Sequence, residues 1–231
     1  MVLSPVRILS RKYWNITKEA VLNEVKGIPD IGLEYRDDID PSIITVFKEK
    51  IDVKNIKFEE RLRPAGSMYA AHEWAMPTAI VVYLVKPYFE TLLKEAAKDH
   101  YPIFKKQLSK LAFKSKEEIT MSVVASNEGK IDKKNPFTLS FSFIYISTDD
   151  NLTFKFLFRE TASKEQVTEA SDYFLELIKE YNNDKSNSKL ENLLSKYAIK
   201  SRPIIICYNE KSKEAMILDI RDKITLDDIS R

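Results

Sequence analysis

The stretch from Phe137 to Phe158 constrains this chain most. Phe137-Thr-Leu-Ser-Phe-Ser-Phe-Ile-Tyr145 alternates between apolar and polar positions, and Leu152-Thr-Phe-Lys-Phe-Leu-Phe158 follows the same pattern. A period of two is the mark of a strand with one buried face. The two segments are separated by Ser147-Thr-Asp-Asp-Asn151, a natural hairpin loop. One face then carries Phe137, Leu139, Phe141, Phe143, Tyr145, Leu152, Phe154, Phe156 and Phe158, and the other begins with Thr138, Ser140 and Ser142. Left exposed, such a face would be a far larger apolar patch than soluble proteins keep, so it reads as core and not as a base-stacking platform. Helices are the expected cover.

Trp74–Lys116 is the first candidate for that cover. It opens with the apolar run Trp74-Ala-Met-Pro-Thr-Ala-Ile-Val-Val-Tyr-Leu-Val85. Pro77 suits a first helical turn, and the periodic segment that follows favours a helix through the run; a buried strand over 79–85, ending at Lys86-Pro87, is the alternative. Phe89, Leu92, Leu93 and Ala96 then recur at helical spacing. Pro102 is expected to break or bend the helix before Phe104, Leu108 and Leu111 resume the stripe. The second candidate follows the hairpin: Ser163-Lys-Glu-Gln166 is a capping box opening a helix with Val167, Ala170, Phe174 and Ile178 on one face. A further box, Ser188-Lys-Leu-Glu191, opens a shorter helix with Leu190, Leu193, Leu194 and Tyr197.

The remaining segments complete the outline. Lys18–Lys26 reads as a helix capped by Thr17, and the acidic segment Asp30–Asp40 reads as a loop. Asp40-Pro41 opens a helix with Ile44, Phe47 and Ile51. Ile56–Leu62 reads as an edge strand and Arg63–Ser67 as a turn. Ile119–Ala125 alternates and reads as a strand. Ile204–Tyr208 and Ala215–Ile220 form a closing hairpin, and the charged tail beyond Arg221 is expected to fray. With no repeat or flexible linker, residues 1–231 read as a single α+β domain. Its largely antiparallel sheet would have the aromatic face covered by the Trp74–Leu111 helical region and the Gln166–Tyr181 helix.

Composition narrows the function. Lys+Arg 37 against Asp+Glu 35 leaves a formal charge of +2, which speaks against a dedicated nucleic-acid binder. The four glycines, at 27, 32, 66 and 129, have neither dinucleotide-fingerprint nor P-loop spacing. The lone Cys207 lies between Ile206 and Tyr208 and reads as a small hydrophobe in a core strand. One thiol fits a reducing compartment, and the first ten residues lack a signal-peptide pattern, so the cytoplasm is expected.

The only histidines are His72 and His100. On one straight helix they would stand roughly 42 Å apart at about 1.5 Å per residue, too far to share a metal. Glu73 and the neighbours Asp99 and His100 are the positions to consider for a hydrolase, although adjacent helical residues do not face each other. The acidic groups at 37–40, 59–60, 149–150 and 227–228 read as solvated turns and edges. No cofactor or metal is expected. Lysines at 94, 98, 105, 106, 110, 114 and 116 form the most plausible contact surface, although nearby acids offset them.

Three function classes follow. The leading expectation is a non-catalytic protein-interaction or sensor protein that contacts another protein through the lysine-bearing helical surface at 94–116. A second is an effector whose apolar segment 74–93 engages a membrane or partner after a conformational change. Trp74–Val85 is too short to span a bilayer, which takes about 20 residues, and extension to Leu93 admits Lys86, Pro87 and Glu90. The third is a hydrolase with a site including Glu73 or Asp99 and His100.

Overall fold

The computed structural model describes residues 29–51, 56–64, 78–92, 99–126, 136–197 and 203–218. Strand β1 (Ile31–Arg36) is followed by helix α1 (Pro41–Ile51), β2 (Phe58–Arg63), β3 (Ile80–Val85), α2 (Lys86–Leu92) and α3 (His100–Ser126). The hairpin β4 (Phe137–Ser147) and β5 (Leu152–Arg159) comes next. Then follow α4 (Lys164–Asn183), a 3-10 turn (Lys185–Asn187), α5 (Lys189–Ser195), β6 (Ile204–Asn209) and β7 (Glu214–Leu218).

The seven strands form one sheet in the order β2-β1-β3-β4-β5-β6-β7. It is mixed, which corrects the expectation of a largely antiparallel sheet. Three pairs are parallel, β1/β2, β3/β4 and β5/β6, and each is bridged by helix: α1, then α2 with α3, then α4 with α5. A helical crossover brings the chain back to start its next strand in the same direction, so each helical connection creates a parallel pair. The pairs β1/β3, β4/β5 and β6/β7 are antiparallel.

All three crossovers lie on one side. Ile31, Leu33 and Tyr35 of β1, Ile80, Val82 and Leu84 of β3, and Phe154, Phe156 and Phe158 of β5 share one core with buried residues from all five helices. Phe143 stacks on Phe156 at 4.7 Å between ring centroids, and Phe174 of α4 lies 4.8 Å from Phe156. The aromatic face is therefore covered by helix, as its alternation requires. Ser163 caps α4 through the expected box: its Oγ accepts from the Gln166 amide at 3.3 Å, while its own amide donates to Gln166 Oε1 at 2.7 Å.

Four expectations are corrected. The centre of the Trp74–Val85 run, Ile80–Val85, is strand, so Trp74–Lys116 is not one helical element; the helix begins at Lys86, where Pro87 can occupy the first turn. Asp30–Asp40 contains β1, whose Ile31, Leu33 and Tyr35 alternate with Gly32, Glu34 and Arg36. Ile119–Ala125 belongs to α3, because buried Ile119 continues the helical stripe of Phe104, Leu108, Leu111, Ala112 and Ser115. The helical region divides ahead of Pro102 and not at it: Asp99 is a turn, and Pro102 lies in the first turn of α3, where its missing N–H removes no helical bond.

A smaller departure lies inside β4. Between the pairs Phe137–Arg159 and Ser142–Leu157, five steps along β4 are matched by only two along β5. The odd excess reverses the faces, so Phe137 joins a second apolar cluster on the far side of the sheet. Tyr197 is 44% exposed and lies beyond the end of α5 at Ser195, so it does not extend that helix's buried stripe. The helix read at Lys18–Lys26, the start of the run at Trp74, and the tail lie outside the described residues.

Candidate functional site

The sheet's second face takes the alternate residue of every strand. On β1 these are Gly32, Glu34 and Arg36, on β2 Arg61 and Arg63, on β3 Val81 and Tyr83, and on β4 Ser142 and Ile144. Strand β5 adds Lys155, Leu157 and Arg159, and β6 and β7 add Ile205, Cys207, Met216 and Leu218. No described helix residue enters the cluster of Phe137, Leu157, Ile205, Cys207, Leu218 and Met216 that forms its apolar half. The other half is charged. Polarity thus grades across the face from β7 to β2.

Registry places the charges. Arg61 pairs with Glu34, which pairs with Val81, which pairs with Ser142; one row over, Gly32, Tyr83, Ile144 and Lys155 are successive partners. Glu34 is buried, with Oε1 3.3 Å from Arg63 Nε and Oε2 3.8 Å from Arg61 Nη1. Arg63 Nη2 donates to the Thr78 carbonyl at 2.6 Å, and Thr78 Oγ1 lies 2.7 Å from Ser142 Oγ. Arg36 pairs with Asp38 through two nitrogens and holds that carboxyl below its ordinary range. Gly32 makes room for its neighbour: a Cβ there would lie 3.3 Å from the Tyr83 Cβ.

The electrostatics are strained toward positive charge. Burial lowers the Arg63 pKa, with Glu34 opposing and Arg36 and Arg61 adding to the shift. Lys155 is 2% exposed, and burial together with the Arg63 charge brings its amine down to about 7. A buried, perturbed lysine beside arginines is the kind of group that collects at functional sites. Sequence reading passed over these residues because β1 was taken as a loop. Lys155 was visible, as the charged position within the aromatic β5.

The residues singled out from the sequence lie elsewhere. His100 is buried at the start of α3, and its Nε2 is 3.1 Å from the Ile51 carbonyl, so the nitrogen facing that acceptor carries the proton. Its ring packs edge-on to Tyr88 and lies near Phe104, and burial lowers its pKa against the pull of the Ile51 bond. Asp99 is exposed. The histidine therefore anchors the end of α1, with its neighbouring acid out in solvent. Cys207 is buried, and its thiol is pushed up to about 12, unsuited to nucleophilic work. His72 and Glu73, and the lysines at 94 and 98, lie outside the described residues.

The remaining lysines divide into two sets. Lys105 reaches Glu176 at 3.3 Å and Asp172 at 3.5 Å on α4, Lys114 pairs with Glu118 at 3.4 Å, and Lys116 donates to the Ala162 carbonyl. Lys106 and Lys110 are exposed and form no ion pair among the described residues. With Ile103, 45% exposed, they form one outward stripe of α3 at helical spacing. Among the described residues no group of three or more His, Cys, Asp or Glu is arranged to hold a metal, and no helix is long and apolar enough to cross a membrane. Comparison with protein-family models, curated proteins and solved structures found no match.

Proposed function

We propose that the chain is a non-catalytic interaction or sensor protein whose partner-binding surface is the outward stripe of α3, centred on Ile103, Lys106 and Lys110. The supporting observation is the division among the lysines: Lys105, Lys114 and Lys116 are engaged within the molecule, whereas Lys106 and Lys110 flank an exposed isoleucine. Two exposed cations with no ion pair among the described residues, set around an apolar contact, fit a partner segment that carries acidic residues beside a hydrophobic one. Attraction of this kind steers association and weakens with salt.

The effector reading draws less support. Ile80–Val85 is paired on both edges, to β1 and β4, and only Tyr83 in it escapes full burial. Releasing it would open the sheet. The hydrolase reading draws no support from His100, whose ring is committed to packing and to Ile51.

A photo-crosslinker placed at Ile103 is expected to trap an acidic partner. Reversing charge with Lys106→Glu and Lys110→Glu should weaken capture by about tenfold. A crosslinker at exposed Lys189 on α5 is the control. Equal capture from both positions, or capture indifferent to charge reversal, would refute the surface.

A further inference from the structure

Among the described residues, four large apolar side chains stay well exposed: Val46, Leu62, Ile103 and Tyr197. Two of them border one seam. Helices α1 and α3 run side by side in opposite directions. At one end His100 Nε2 meets the Ile51 carbonyl at 3.1 Å, and midway the Phe47 and Phe104 rings lie 6.3 Å apart. At the other end the Lys114 charge helps to lower the Asp40 carboxyl. One step after each phenylalanine, the side chain turns away from the seam. Lys48 reaches Glu60 of β2 at 2.5 Å, and Lys105 reaches Glu176 of α4 at 3.3 Å. Successive helical residues point about 100° apart, so one step before each phenylalanine the side chain turns the other way. Val46 and Ile103, 53% and 45% exposed, therefore stand on the two walls of the seam.

Charge along the seam is uneven. At the His100 end, exposed Lys50 is accompanied by exposed Glu49 and Asp99, and the signs nearly balance. In the other direction along α3 come Lys106 and Lys110, exposed and without an ion pair among the described residues. Beyond them Glu118 is engaged by Lys114, and Glu117 stands two turns past Lys110. The seam thus offers an apolar pair at its middle and a cationic stretch to one side. Packed helices hold their axes about 8–10 Å apart, and the groove between two of them suits a third. A helix also brings apolar residues three or four apart onto one face, which a single apolar pair can receive.

We propose that the α1/α3 seam binds one amphipathic α-helix of an acidic partner protein. Its apolar residues rest on Val46 and Ile103, and its carboxylates lie over Lys106 and Lys110. This rests on the α3 surface proposed above and adds α1 as its second wall.

The test places a photo-crosslinker at Val46 or at Ile103 of the full chain in native extract and maps the joined peptides by mass spectrometry. Both positions are expected to mark one partner segment, at residues within about two turns of each other, with acidic residues beside them. Val46 is exposed, so Val46→Glu leaves the fold intact; it should weaken capture from Ile103 by about tenfold. Leu62→Glu, on the β2 edge, should leave capture unchanged. Made as a synthetic peptide, the marked segment should bind the full chain and gain helical circular dichroism, since short helices are marginal alone. Capture from Ile103 with none from Val46, or capture that Val46→Glu leaves intact, overturns the seam and leaves the α3 stripe standing. No capture from either position removes both. Two unrelated marked segments, or a peptide that binds without gaining helix, also overturn the proposal.

Discussion

Lys155 and His100 are both buried bases, and each ties stability to pH in a different range. Released at about 7 in the folded chain against an ordinary 10.5, the Lys155 proton is held longer by the unfolded state. Between those values the unfolded chain binds the extra proton, so stability rises with pH. The useful window is about pH 7 to 9, because above it the Cys207 thiol, at about 12 folded against 9.0, pulls the other way. Wild type should gain about 2 kcal/mol across that window in urea unfolding, and Lys155→Met should lose most of the slope. Identical slopes would show that Lys155 does not titrate there. His100 acts on the acid side: its lowered pKa means that stability is lost as pH falls below the ordinary 6.5. His100→Ala removes ring packing and leaves the Ile51 carbonyl without its donor; a cost of about 2–4 kcal/mol is expected from the urea midpoint.

At the scale of elements, what the sequence showed depended on whether one periodicity ruled a segment. Strands β4 and β5 and helix α4 were legible because their patterns are unbroken and their boundaries carry turn or capping residues. Ile119–Ala125 misled because alternate apolar residues also occur on a helix, and only the stripe reaching back to Phe104 decides between them. Ile80–Val85 is apolar throughout because it is central and buried on nearly every side, which erases periodicity altogether. Strand β1 was hidden by Glu34, a buried charge whose partners Arg61 and Arg63 sit on a strand distant in sequence. The capping box offers a measurable check: Ser163→Ala should destabilise by about 1 kcal/mol and leave the unfolding slope unchanged. A loss below about 0.3 kcal/mol would mean that α4 is fixed by its packing alone.

For the whole molecule, the mixed sheet follows from three helical crossovers laid on one side. The clue was present in the sequence: the capped helices between Phe158 and Ile204 form a connection long enough to return the chain to its starting edge, which favours parallel pairing. One-sided crossovers also give the sheet two unlike faces, one aromatic and helix-covered, one graded from apolar to charged. The charged half could not be located before the strand order was known, since it depends on which strands become neighbours. The lysines of the α3 stripe were already legible, and only their division into engaged and exposed sets required the packing of α3 on α4. Phe143 tests the aromatic side, with Phe156, Phe158 and Phe174 around it. Phe143→Ala should cost about 3–5 kcal/mol by denaturant unfolding, and a loss below about 1 kcal/mol would mean the rings repack around the gap.

Strand β3 has a kinetic consequence. It is the seam between β2-β1 and β4 to β7, and its partners on each side, Ile31 for Leu84 and Phe141 for Ile80, lie more than fifty positions away along the chain. The β4/β5 hairpin can form early from local turns, but the two parts of the sheet cannot join until Ile80–Val85 docks between them. Closing such long loops is slow. Refolding should therefore be limited by this docking: Val82→Ala should slow it in proportion to the stability lost, whereas Met216→Ala in the terminal hairpin should mainly hasten unfolding.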